Sequence, residues 1–168
     1  MAIPKFLRGI ADRYFAMLVS LYPPYLGAGI RVSSMSPDFR RFEVEMPLRF
    51  YNRNYVGTHF GGSLFAMCDP FFMFILMKNL GPDYIVWDKA TTIRFRRPGR
   101  GTMRAVFELG EQELLAIRDA ADTNAKFEPI LTVLITDQRG ETVAEVNKVL
   151  YVRRKHQGTG CQDEVPPL

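Results

Sequence analysis

The sequence predicts an α+β domain in which a curved, mostly antiparallel sheet of five or six strands wraps around one long apolar helix. The segment 62–79 is hydrophobic on every side, so it must be surrounded by protein. Two strand-like runs precede this segment and about four follow it. A sheet curved around the helix is the simplest way to bury so apolar a segment with the strands available.

The strands are indicated by apolar runs bounded by turn residues. The run 38–48 alternates apolar with charged residues, which is the period of a half-exposed strand. The sequence PGRG separates two runs as a turn, and DQRGE predicts a hairpin with glycine in its turn. The predicted strands are 29–36, 38–48, 84–97, 102–109, 127–137 and 142–153.

Two further segments have helical character. Residues 5–21 place apolar side chains at helical spacing, and the prolines at 23 and 24 are expected to end this amphipathic helix. The segment 111–126 is predicted to be a helix or a turn. The expected organisation is an N-terminal helix (1–27), one domain (28–155) and a flexible tail (156–168).

Composition and charge limit the classes of partner. The net charge of +4 favours anionic partners, but no nucleic-acid-binding motif accompanies the arginines. The run from Leu64 to Met77 is shorter than the roughly 20 residues that span a bilayer, so no integral membrane segment is expected. Cys68 lies in an apolar run and Cys161 in a polar tail, which predicts free thiols and a cytoplasmic location.

A pair of glycines opens the central helix, and an aspartate follows within it. The unpaired N–H groups at a helix start stabilise anions, including the oxyanion that forms when a carbonyl is attacked. Gly61 and Gly62 would let a ligand approach those groups closely. Asp69 lies within reach of a ligand along the helix, so the pattern favours chemistry at a carbonyl group.

Asp69 precedes Pro70, and this pair allows a second interpretation. Asp-Pro is a common helix start, with aspartate as the N-cap and proline in the first helical position. The helix would then break at Cys68 and resume at Pro70. The sequence leaves the capping and the catalytic roles open, and one does not exclude the other.

Three neighbouring side chains are candidates for further roles. His59 is one of two histidines, and with no paired cysteines the sequence offers no zinc site. It is either a loop residue bonded to the backbone or a functional residue beside the glycines. Cys68 is expected to be an inert core residue. Ser63 does not form the G-x-S-x-G nucleophile elbow, so no serine triad is predicted.

Arginines cluster at one predicted turn between strands. Arg94 and Arg96 share a strand face, whereas Arg97 and Arg100 fall at or near the turn. They form either a solvated strand end that discourages edge pairing or a docking patch for phosphate groups.

The segment NYVGTHFGGSLFAMCD resembles a motif of hotdog-fold acyl-CoA thioesterases, in particular the PaaI-like branch related to the phenylacetate pathway. That pattern is approximately N-x(5)-H-G-G-x(6)-D. The matching positions are Asn54, Gly61, Gly62 and Asp69. Phe60 occupies the histidine position, with His59 one residue earlier. TTIRFRRPGRG is similar to the family's F-x-R-P strand end, and the resemblance covers roughly residues 28–154.

The resemblance implies hydrolysis of acyl-CoA thioesters by a homodimer or a dimer of dimers. Asp69 of one subunit would act as general base or nucleophile, facing the Gly61-Gly62 oxyanion site of the other. Asn54 would position water or the carbonyl, and His59 would assist. The implied substrate-binding residues are Phe60, Ser63, Arg94, Arg96, Arg97 and Arg100. No metal or redox cofactor is implied, and coenzyme A enters as part of the substrate.

Two other functions remain open at this point. A non-catalytic acyl- or lipid-binding hotdog domain would use the same cavity. A hotdog hydratase or dehydratase would pair the carboxylate with a well-placed histidine, and the phenylalanine at position 60 argues against this.

Overall fold

A computed structural model describes residues 14–155, and these residues form six strands and five helices. The helices are α1 (14–20), α2 (Pro23–Ala28), α3 (Gly61–Ala66), α4 (Phe71–Leu80) and α5 (Glu111–Thr123). The strands are β1 (Arg31–Met35), β2 (Arg41–Pro47), β3 (Tyr84–Phe95), β4 (Thr102–Glu108), β5 (Ile130–Thr136) and β6 (Thr142–Arg154).

The strands form one antiparallel sheet in the order β1-β2-β4-β5-β6-β3. Every predicted strand is present, so the α+β class and the upper strand number are confirmed. The longest pairing joins β3 to β6, and its register shifts at a bulge between Asp88 and Ala90. This bulge lies beside the candidate site described below.

The central helix is confirmed, but it is interrupted. α3 ends at Ala66, residues 67–70 form a turn, and α4 begins at Phe71. The peptide bond between Asp69 and Pro70 is cis. The prediction of one helix over 62–79 is therefore wrong in its continuity, because a helix cannot run through a proline without losing a backbone hydrogen bond.

The N-terminal region differs from the prediction in one respect. The prolines at 23 and 24 follow α1, but they also occupy the first positions of α2, where proline is well tolerated. α2 ends at Gly29, whose backbone is left-handed with φ of 72°. The start of the predicted helix over 5–21 and the tail 156–168 lie outside the described residues.

α3 and α4 supply one side of the core, and the sheet supplies the other. Phe71, Ile75 and Leu76 are fully buried against inward-facing residues of β2, β4 and β6. Phe71 and Phe107 are 4.9 Å apart between ring centroids. Within residues 14–155, only Gly61–Leu80 has the length and composition of a membrane-crossing helix. In this domain the segment is partly buried: Phe71, Ile75 and Leu76 lie in the core, whereas Phe65 and Met77 are exposed.

Removing one core ring should destabilise the fold strongly. Phe107→Ala deletes a fully buried side chain between the sheet and α4. We expect a loss of about 3–5 kcal/mol in the free energy of unfolding, measured by urea denaturation. The matched control is Phe50→Ala, because Phe50 is 85% exposed. That variant should change stability by less than about 0.5 kcal/mol, and equal losses in the two variants would contradict this packing.

Candidate active site

Asp69 lies in the turn between α3 and α4, and its carboxylate does not cap a helix. The first turn of α4 has no side-chain cap, and its N-cap position is Pro70. Instead, Oδ1 of Asp69 accepts a hydrogen bond from Nζ of Lys148 at 2.9 Å. The capping interpretation is therefore wrong. The Asp69 side chain is 53% exposed, so the carboxylate is both anchored and accessible.

Lys148 is a buried cation between two carboxylates. Its ammonium donates to Asp69 at 2.9 Å, to Oδ2 of Asp88 at 2.8 Å and to the carbonyl of Cys68 at 3.3 Å. The Lys148 side chain is only 2% exposed. An ammonium has three donors, and these three acceptors satisfy all of them. We call Asp69, Lys148 and Asp88 the carboxylate–lysine cluster.

Sequence reasoning missed Lys148 and Asp88, although the strand pattern contained a signal. In β6 the inward positions alternate, and Lys148 stands between the buried Val146 and Leu150. A charged residue at an inward position needs a partner. Asp88 in β3 pairs in register with Leu150. An inward lysine opposite a strand that contains an aspartate would have predicted an ion pair.

The cluster moves the pKa values of its two carboxyl groups in opposite directions. Burial, together with hydrogen bonding to Asp69, raises the pKa of Asp88 from its ordinary value of 3.8 to about 6. Burial also acts to raise the pKa of Asp69, but hydrogen bonds from Asp88 and Lys148 outweigh it and lower that pKa. At neutral pH Asp69 is therefore a carboxylate. Opposed shifts in neighbouring acids are a feature of acid–base sites.

Two further titratable groups lie beside the cluster. Burial raises the pKa of the Cys68 thiol to about 12. Cys68 is therefore a neutral thiol rather than a nucleophile, in agreement with its predicted role as a core residue. Burial, followed by the charge of Asp69, also raises the pKa of Tyr25 in α2. The Tyr25 hydroxyl is buried without a hydrogen-bond partner.

The glycine pair begins α3 as predicted. The first turn pairs the amides of Ser63 and Leu64 with the carbonyl of Phe60, which leaves the amides of Gly61 and Gly62 outside the helix ladder. A side chain at position 61 would meet the ring of Phe95, and one at position 62 would collide with the ring of Phe60. A larger residue at either position would therefore have to displace one of these two exposed rings.

Asn54 and His59 are bonded within the loop that leads to α3. The Asn54 amide donates to Thr58 and to the carbonyl of His59, and its oxygen accepts from the backbone of Val56 and Thr58. His59 is 3% exposed, and its Nε2 lies 2.8 Å from the carbonyl of Gly101. Because a carbonyl only accepts, this nitrogen carries the proton. Burial lowers the pKa of His59, so the ring is neutral.

A cleft of about 400 Å³ opens at the start of α3. It is bounded by the loop before α3 and by the segment after β3; its lining includes Asn54, His59, Gly61, Phe95, Arg96 and Arg97. Asp69 does not line this cleft. Asp69 lies eight residues after Gly61, in the turn beyond the end of α3. This cleft therefore contains one half of the predicted site but not the other.

The four arginines differ in their contacts. Arg96 pairs with Glu145 at 2.8 Å. Arg97 pairs with Asp137 at 3.1 Å and also contacts Glu141. Arg94 and Arg100 are exposed and form no salt bridge within residues 14–155. Arg94 stands opposite Glu145 in the register of β3 and β6, so Arg100 is the less engaged of the two, whereas Arg96 and Arg97 are paired with acidic residues. No three His, Cys, Asp or Glu side chains of the described chain converge as a metal site requires.

Several solved structures share this fold. Protein PA5026 of Pseudomonas aeruginosa, described as a protein of unknown function and probable thioesterase, matches with a TM-score of 0.74 and 24% identity over 92% of this chain and 98% of that chain. Thioesterase HI1161 of Haemophilus influenzae matches with a TM-score of 0.62 and 16% identity over 85% and 90%. The PaaI protein of E. coli, from the phenylacetic acid degradation operon, matches with a TM-score of 0.57 and 19% identity over 89% of this chain and 94% of that chain.

The six-stranded sheet around α3 and α4, together with these matches, defines a hotdog-fold protein. The resemblance to PaaI-like hotdog proteins is thereby confirmed for the fold. A family model described as a domain of unknown function, DUF4442, matches residues 11–152, and the chain belongs to this family. No curated protein matches the chain.

Replacing Asp88 should change how stability depends on pH. Because folding raises the pKa of Asp88, this carboxyl stabilises the fold below about pH 3.8, and the contribution is lost as pH rises through about 6. Asp88→Asn keeps a neutral group at every pH. Relative to wild type, its free energy of unfolding should therefore rise by roughly 2–3 kcal/mol between pH 4 and pH 8.

The measurement is urea unfolding of both proteins at several pH values. Asp119→Asn is the control, because Asp119 is exposed on α5. It should follow wild type throughout. A constant stability difference between Asp88→Asn and wild type across this range would contradict the assignment.

Proposed function

We propose that this protein hydrolyses acyl-CoA thioesters, with Asp69 as the reacting carboxylate. The observation that carries the proposal is the state of that side chain. Asp69 is half exposed at a break in the central helix, bonded to Lys148 and free of any capping role. The hotdog fold supports the same chemistry, since HI1161 of that fold is named a thioesterase.

Two chemical roles are open to an ionised carboxylate at this position. As general base, Asp69 takes a proton from water while the water oxygen bonds to the thioester carbon. The carbon–sulfur bond then breaks, and the leaving thiolate takes up the proton. As nucleophile, Asp69 bonds to the carbonyl carbon, the carbon–sulfur bond breaks, and coenzyme A leaves as a thiolate that takes up a proton. Water then hydrolyses the resulting anhydride to the free acid and restores the Asp69 carboxylate.

The amides of Gly61 and Gly62 are the proposed oxyanion donors. They belong to the start of α3, beside a cleft that Asp69 does not line. We therefore include in the proposal a homodimer, or a dimer of dimers, in which Asp69 of one subunit reaches the glycine pair of another. Asn54 and His59 hold the loop that presents this helix start. We assign them this positioning role, with Phe60 and Ser63 beside the acyl group.

The substrate's nucleotide is assigned to the arginines after β3. Arg100 forms no salt bridge within the described chain, and Arg94 lies opposite Glu145 in the strand register without forming one. Both guanidinium groups can therefore pair with phosphate groups of coenzyme A. Arg96 and Arg97 line the cleft while remaining paired to acidic residues. Coenzyme A thus enters as part of the substrate. The absence of a metal or redox cofactor and a cytoplasmic location remain predictions.

Asp69→Asn should abolish hydrolysis while leaving the fold intact. A panel of short-, medium- and long-chain acyl-CoAs is assayed by release of free thiol. We expect kcat/KM to fall by at least about 100-fold for every hydrolysed substrate, because the amide can neither accept the proton nor attack. Asp119→Asn should retain wild-type activity.

The outcomes of this assay separate the candidate functions. Unchanged activity in Asp69→Asn would contradict the catalytic assignment. Saturable binding of acyl-CoA without turnover in the wild type would identify a binding module instead. A hydratase is disfavoured by the neutral, carbonyl-bonded state of His59.

The assignment of the free arginines is tested by comparing two substrates. Arg94→Ala and Arg100→Ala should each raise KM for an acyl-CoA about 3- to 10-fold, because each removes one phosphate contact. KM for the matching acyl-pantetheine, which lacks the nucleotide phosphates, should not change. Arg31→Ala, which removes an exposed arginine paired with Glu45, is the control. An equal rise for both substrates would contradict phosphate binding.

A further inference from the structure

We propose that Lys148 is the positioning residue of this site, and that its ammonium holds the Asp69 carboxylate ionised and correctly oriented. This inference rests on the proposed function for its effect on catalysis. The contacts that support it belong to the fold and can be tested separately.

Burying the Lys148 ammonium carries a free-energy cost that packing does not explain. A buried ammonium is costly unless it is paired and fully hydrogen-bonded. Lys148 faces inward from β6 between apolar neighbours, where valine or leucine would pack without any such requirement. A buried ion pair seldom adds net stability over an apolar replacement. Packing alone therefore does not account for lysine at this position.

The two carboxylates bonded to Lys148 differ in their exposure to solvent. Asp88 is mostly buried, with its side chain 20% exposed, whereas Asp69 is 53% exposed. Asp88 and the carbonyl of Cys68 fix the ammonium from within the fold. The remaining donor points to Asp69, the most exposed member of the cluster. Lys148 thus links a rigid strand pair to a carboxylate in a turn.

Asp69 is surrounded by several titratable groups, of which one is a cation. The groups that face it are Lys148 from β6, Asp88 from β3, Tyr25 from α2 and the thiol of Cys68. Lys148 is the only cation among them. Without it, two neighbouring carboxyl groups would compete for one proton, as like charges at short range do. A reactive carboxylate would then be largely protonated at mildly acidic pH.

The test removes the cation and keeps the shape of its side chain. Lys148→Met is compared with wild type by the pH dependence of kcat/KM and by the 13C chemical shift of the Asp69 carboxyl carbon. We expect the acid limb of the pH profile and the Asp69 titration both to move up by at least about one pH unit. kcat should fall about 10- to 100-fold, with KM within threefold of wild type.

Two further variants keep the test decisive. Lys89→Met removes a neighbouring but exposed lysine that pairs with Glu128, and its pH profile should match wild type. If Lys148→Met does not fold, Lys148→Met/Asp88→Asn relieves the repulsion between the two carboxylates and should show the same upward shift relative to Asp88→Asn. An Asp69 titration and acid limb that stay at the wild-type pH in these variants would overturn the proposal, because a merely structural lysine would lower stability without moving either.

The two readouts also separate this inference from the proposed function. If the Asp69 titration moves in Lys148→Met but no thioester is hydrolysed by the wild type, the positioning contact stands and the proposed reaction fails. If hydrolysis depends on Asp69 but its titration does not move, the reaction stands and the role of Lys148 fails.

Discussion

The structure around the candidate site depends on one buried cation. The ammonium of Lys148 can lie inside the sheet only because Asp88, Asp69 and a backbone carbonyl accept its three hydrogen bonds. This requirement ties β6 and β3 to the turn between the two central helices. The break in the central helix then has a physical meaning, since the turn presents a carbonyl and a carboxylate to the same ammonium. A continuous helix would use that carbonyl internally.

The cluster also explains why the exposed carboxylate is suited to chemistry. Alone, a partly buried aspartate beside another acid would gain a proton. With the cation present, the proton affinity is divided unequally: the pKa of Asp88 is raised to about 6 and that of Asp69 is lowered. The exposed Asp69 therefore stays charged, whereas the enclosed Asp88 is the carboxyl group whose ionisation becomes less favourable. The glycine start of α3 borders a cleft that Asp69 does not line, and the proposed site completes it with Asp69 of a second subunit.

The fold was predictable because its signals are local and repeated. Alternation in residues 38–48 and the all-round apolar surface of the central segment identify the strand and the core helix. α2 was missed because a proline pair ends one helix and begins the next with equal ease. One part of the site was predictable, because the sequence motif identified Asp69, Gly61 and Gly62. Lys148 and Asp88 are 60 residues apart and meet only through the register of β3 and β6, which includes a bulge.

The most direct test of the central interaction is a crystal structure at neutral pH. We expect Nζ of Lys148 to lie within hydrogen-bonding distance of carboxylate oxygens of both Asp69 and Asp88, with no amide of the first turn of α4 bonded to Asp69. An Asp69 carboxylate bonded to those amides, with Lys148 paired only to Asp88, would contradict the carboxylate–lysine cluster. It would return Asp69 to the role of a helix cap.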